Sequence, residues 1–151
     1  VAGQDEVMER IGAAMALSQS GERTAARLRF EEIWAEISSG GEPFHRCVLA
    51  HYLADLQDDP REELAWDLRA LEAAGSVTDS RVREHHASLR IRGFYPSLHL
   101  NLAEDYRRLG EPERAREHLA EAERMSSPLD DGGYGDGIRA AISRLADRLA
   151  D

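Results

Sequence analysis

Apolar side chains recur at steps of three and four residues along almost the whole chain, and no stretch shows the alternation of a half-buried strand. Between positions 4 and 20, Val7, Ile11, Ala14 and Leu17 share one helical face; between 22 and 39, Ala26, Phe30, Ile33 and Ile37 do the same. Gly21 separates the two stretches, and Gly40, Gly41 and Pro43 break the chain before a third helix at about 44–57 that carries Ala50, Leu53, Ala54 and Leu56. Asp59 then offers an N-cap, Pro60 fits the first helical position, and Leu64, Leu68 and Leu71 supply the apolar stripe up to a stop at Gly75. A fifth helix is expected from Thr78 or Asp79 to Arg92, where Gly93 and Pro96 interrupt it, and a sixth from Ser97 to Leu109. Pro112 opens a seventh, with Ala115, Leu119, Ala122 and Met125 inward and the pairs Glu113/Arg116 and Glu121/Arg124 outward. After a glycine-rich stretch at 126–137, an eighth helix capped by Asp136 buries Ile138, Ile142, Leu145 and Leu149. The period alone predicts an all-α fold.

Composition narrows the chemistry. The 151 residues suit one domain with a core of its own, and the formal net charge of -10 opposes nucleic-acid binding, which needs a basic footprint. All 19 basic residues are arginine. Mechanisms built on an amine, such as Walker-type phosphate loops and Schiff-base catalysis, are therefore excluded. A lone cysteine, Cys47, allows no intrachain disulfide, and no apolar run approaches the length of a membrane span, so cytoplasmic residence and no membrane partner are expected. Much Ala, Leu, Arg and Gly with no Lys points to a GC-rich genome such as an actinobacterium's, which says nothing about function.

Tight turns between helices call for a test of internal repetition. In the stretch 96–128, Asn101, Leu102, Ala103, Tyr106, Leu109, Gly110, Ala115, Leu119 and Ala122 fall at the spacing of a tetratricopeptide repeat, which this segment resembles. Ala14, Leu17, Gly21, Ala26, Phe30 and Ile33 repeat the pattern. Ala54, Leu64, Leu68 and Leu71 follow it only with about two residues lost at the turn. The resemblance implies a right-handed superhelical stack of antiparallel helix hairpins at about 4–39, 44–75 and 79–126. A polar-faced capping helix at about 136–150 would close it, the whole forming one domain over 1–151.

Three constellations could carry chemistry. Cys47, His51 and Asp55 lie at i, i+4 and i+8 on one helix face, near His45, but a third ligand along one helix lies roughly 12 Å from the first, so a closed metal site would need His85, His86 or His99 as well. The simpler expectation is a buried apolar Cys47, a locally hydrogen-bonded His51 and no metal or other cofactor. Arg81, His85 and Arg92 fall on a narrow stripe in a locally positive segment and could hold an anion, although they could equally face solvent or pair with the acids between Asp55 and Glu63. Asp130, Asp131 and Asp136 lack the spacing of a calcium cage and read as a connector.

No sequence feature supplies a positioned acid, base or nucleophile, so the expected function is non-enzymatic. By the repeat resemblance, the first helix of each hairpin lines a concave groove that takes a peptide or partner helix. Phase assigns to it Met8, Ile11 and Met15, then Val48, His51 and Asp55, then Ser97, Leu100, Asn101, Glu104 and Arg107 or Arg108. Without lysine, the family's clamp for a C-terminal carboxylate cannot be built, and an apolar or basic segment is the better match. The alternatives are a sensor for a small anion or signalling peptide and, behind it, a metal-dependent enzyme. Self-association into a homodimer is expected through the first helix or the Met8 and Met15 face.

Overall fold

The computed structural model describes residues 2–38, 40–79, 85–126 and 133–150, and the side chains of 6–38, 40–76, 94–126 and 135–150. Seven helices and no strand occur among them: α1 (Ala2–Gln19), α2 (Arg23–Ile37), α3 (Pro43–Asp55), α4 (Pro60–Asp79), α5 (His85–Arg108), α6 (Pro112–Ser126) and α7 (Gly133–Ala150). The fold is all-α, as the period requires. The chain divides into two compact units, Val1–Ser76 and Val77–Asp151.

In the first unit α1 packs on α2, α2 on α3, and α1 also reaches α3. The turn from α1 to α2 is a complete Schellman motif: the Glu22 N–H donates to Leu17 O at 2.9 Å and the Gly21 N–H to Ser18 O at 3.1 Å. This geometry holds Gly21 at φ +91°, a backbone region costly for any residue with a Cβ. The turn sends α2 back along α1, so Ile11 and Ala14 meet a core that includes Ala26, Phe30 and Ile33, all buried. Burying Phe30 alone is worth about 1.5–3 kcal/mol. Cys47, Leu49, Ala50, Leu53 and Ala54 of α3 are fully buried as well. Arg23 ties the start of α2 to the turn after α3, donating to Gln57 O at 3.5 Å and pairing with Asp58 at 3.2 Å.

The start of α4 follows its sequence: Asp59 Oδ1 accepts the Arg61 N–H at 2.9 Å, with Pro60 at the first helical position. Its end and its phase do not. The helix continues through Gly75 to Asp79, since a mid-helix glycine costs only about 1 kcal/mol, which neighbouring helical residues offset. Ala70, Ala73 and Ala74 are buried while Leu68 stays 41% exposed, so the inward face is rotated from the expected leucine stripe.

In the second unit α5 packs on α6, α6 on α7, and α5 also reaches α7. One helix, α5, runs through Gly93 and Pro96 where two were expected; Pro96 is buried and burial of the same segment's Leu98 and Leu102 outweighs the lost backbone bond. A second Schellman turn follows, with Glu111 N–H to Tyr106 O at 2.9 Å, Gly110 N–H to Arg107 O at 3.1 Å, and Gly110 at φ +78°. The small Ala103 and Ala115 are fully buried, as close helix approach demands, and Leu102, Tyr106, Leu119 and Ala122 are buried with them. Ile142, Leu145 and Leu149 give α7 its inward stripe. This helix starts at Gly133, so Asp136 lies inside its first turn rather than capping it, and takes an ion pair from Arg139 at 3.4 Å. Glu121 pairs with Arg124 as expected. Arg116 instead donates to the Leu149 carbonyl of α7 at 3.0 Å, which fastens α6 to a helix end rich in unsatisfied carbonyls.

Candidate functional site

Two clefts lie among the described residues of the first unit. One, of about 140 Å³, is lined by Met15, Ser18 and Gln19 of α1, Phe30 of α2, and Tyr52, Asp55 and Leu56 at the end of α3. It forms because the α1–α2 hairpin leaves the last turn of α1 beside the last turn of α3, with the Phe30 and Tyr52 rings 5.9 Å apart between them. Its wall is apolar and its rim acidic. Packing around Asp55 raises its carboxyl above the ordinary range, against the opposing pull of His51 and Arg23. His51, whose ring lies 5.6 Å from that of Tyr52, is held low by burial, against the opposing pull of Asp55.

The second cleft, of about 360 Å³, lies among α2, α3 and α4, lined by Trp34, Ser38, Arg46, Arg69, Glu72, Ala73 and Ser76. Trp34 meets Trp66 edge to face at 5.0 Å, and the Arg69 guanidinium sits 4.4 Å over the Trp66 ring. Arg46 donates to Gly41 O at 3.0 Å. Two guanidiniums from different helices thus border one concavity beside an aromatic wall.

Of the expected groove residues in this unit, Met15 and Asp55 come together at the smaller cleft and His51 stands next to it. Met8 is half-buried on α1. Ile11 and Val48 do not line a groove: they are 2% and 4% exposed and belong to the core, because the α1 and α3 faces assigned to a ligand are the faces that meet α2. In the second unit Ser97, Leu100 and Asn101 are half-buried along α5, and Arg108 is exposed. Glu104 receives both Arg107 Nε at 2.9 Å and Nη2 at 2.7 Å, with Arg148 of α7 at 3.8 Å, so its charge is already neutralised. That fork holds the Glu104 carboxyl below the ordinary range.

Cys47 is buried and its thiol is pushed up to about 12 by desolvation, which removes the thiolate a metal or electrophile would need. His45 is also buried, with Nε2 3.7 Å from a Glu42 carboxylate oxygen. Among the described residues, no group of three metal-competent side chains includes His45, Cys47 or His51. Arg81, Asp130 and Asp131 lie outside the described residues, as do the side chains of His85, His86 and Arg92.

Phase along single helices missed Tyr52, Arg46, Arg69 and His118. Arg69 carried a usable signal, three residues after a tryptophan on a helix. His118 carried another, since it sits across the Gly110 turn from His99. No helix among the described residues is long and apolar enough to cross a membrane. Comparison of the chain with protein-family models, with curated proteins and with solved structures returns no match.

Proposed function

We propose that the chain is a non-catalytic, tetratricopeptide-like interaction module that takes an apolar side chain of a partner peptide or helix at the Met15, Phe30 and Tyr52 cleft. The observation that carries this reading is the cleft itself: an apolar recess sized for one side chain, with Asp55 at its rim to meet a basic neighbour. Packing of α1 on α2, α2 on α3 and α1 on α3 in the first unit, and of α5 on α6, α6 on α7 and α5 on α7 in the second, with Schellman turns at Gly21 and Gly110, agrees with the helical-repeat resemblance. A buried Leu or Met is worth about 1.5–3 kcal/mol, or roughly ten- to a hundredfold in affinity. The test is selection of random twelve-residue peptides on the full chain, with Met15→Glu and Tyr52→Ala as counter-targets. Enrichment of peptides pairing Leu, Met or Phe with Arg or Lys, lost on both variants, is the expected result. Peptides retained equally by both variants, or no enrichment at all, would refute the reading.

A second reading has its own observation. The Trp34, Arg46 and Arg69 cleft has the size of a small-molecule site and two cations at its edge, which favours a compact ligand with a planar body and a carboxylate or phosphate. This sensor role moves the anion site from the Arg81, His85 and Arg92 stripe to α3 and α4.

A further inference from the structure

The second unit holds a pair of imidazoles that neither reading uses. His99 of α5 and His118 of α6 face each other across the helix hairpin, with Nδ1 to Nδ1 at 3.0 Å. Their ring centroids are 5.2 Å apart, which exceeds the nitrogen separation by about the width of one imidazole, so the rings meet by their nitrogen-bearing edges and not by their faces. Two lone-pair positions thus converge on the same small space from two packed helices. Tyr95 flanks His99 at 6.2 Å and Tyr106 lies against His118 at 5.5 Å, which restricts both rings.

We propose that His99 and His118 form a bis-imidazole site for a borderline divalent metal ion of the Zn²⁺, Ni²⁺ and Cu²⁺ class. Two nitrogen ligands at about 2.05 Å from a tetrahedral ion stand about 3.3 Å apart, so the observed separation needs an opening of only a few tenths of an ångström. Burial shifts both rings toward the neutral form. His99 is held low also by His118 and Arg124, while Glu121 opposes this on both rings and Glu117 on His118. Glu121 sits one turn beyond His118 on the same helix; its carboxylate is paired with Arg124 and stands apart from the two nitrogens, so it becomes a third ligand only by leaving Arg124 and moving toward them. His118 is half-buried, which leaves the ion a way in. Between the two nitrogens, a proton and a metal ion compete for one position. If the pair were only a hydrogen bond, one ring would donate through Nδ1–H and the other accept, and added metal would not alter either nitrogen.

The experiment titrates the untagged full chain, stripped with chelator, with Zn²⁺, Ni²⁺ and Cu²⁺ by calorimetry and follows the imidazole nitrogens by NMR. One equivalent should bind, with Cu²⁺ tightest, and the Nδ1 resonances of His99 and His118 should shift. His118→Ala and His99→Ala should each weaken binding at least tenfold, and Glu121→Gln by severalfold. His99 is buried, so His118→Ala, checked for helicity by circular dichroism, is the decisive variant. Absence of stoichiometric binding, unchanged affinity in folded His118→Ala, or shifts at other histidines only would each overturn the proposal.

Discussion

The same substitution, glycine to alanine, should change stability in opposite directions at positions that look alike in the sequence. Gly21 and Gly110 stand at φ +91° and +78° with nothing within 4 Å of an added Cβ, so the whole effect at these two sites is backbone conformation. A left-handed L-residue costs about 1–2 kcal/mol, and the reduced freedom of the unfolded chain returns about 0.4–1 kcal/mol. A net loss near 1 kcal/mol is expected at each. Gly12 of α1 and Gly137 of α7 also have open space around them, but they are helical, and alanine there should gain about 0.5–1 kcal/mol. The expected gap between Gly21→Ala and Gly12→Ala in the first unit, and between Gly110→Ala and Gly137→Ala in the second, is therefore about 1.5–2 kcal/mol. With a urea dependence of about 2 kcal/mol per molar, that is a midpoint difference near 1 M by far-ultraviolet circular dichroism. Asn at 21 or 110 should recover part of the loss, since it tolerates the left-handed region. Equal effects at the turn and helix positions, or a gain at Gly21 or Gly110, would refute the reasoning.

Two further outcomes follow from the electrostatics. Cys47, pushed up to about 12 from an ordinary 9.0, should carry about a thousandfold less thiolate at neutral pH than a free thiol; a disulfide reagent should label it only as fast as the first unit opens, and labelling at the free-thiol rate would show the site wrong. Glu104 is held below the ordinary carboxylate value by Arg107, so its contribution to stability is complete above about pH 4.5 and is lost as pH falls through the lowered value. The pair is about one-third exposed, 34% and 31% for its two side chains, so solvent screens it in part and it is worth about 1 kcal/mol or less. Glu104→Gln should cost that amount at pH 7 and nothing near pH 2 in paired urea titrations; a difference that persists in acid would mean packing, not charge, links the pair.

Legibility followed the range of the interaction. Schellman glycines, the Asp59 cap and the Ala103 and Ala115 contact points are set within a few residues, so the sequence announces them. Helix ends at Gly75 and Pro96 are not, because burial of neighbouring alanines and leucines overrides a local breaker. The groove failed at Ile11 and Val48 for a related reason: an apolar stripe states that a face is covered, not whether core or partner covers it. Met15 and Asp55 line a cleft because they sit near helix ends, where the face is left open. His118 and Arg69 needed a second helix to give them meaning.

The pairing pattern within each unit also bears on how the chain is made. Among the described residues, every packed pair within a unit joins helices that are neighbours or next neighbours in sequence, so these contacts form between segments made close together in time. Such local wiring keeps loop-closure cost small and places folding in the microsecond-to-millisecond range. At about 5–20 residues per second of synthesis, the first unit has time to assemble around Phe30 and Leu53 long before α7 has left the ribosome.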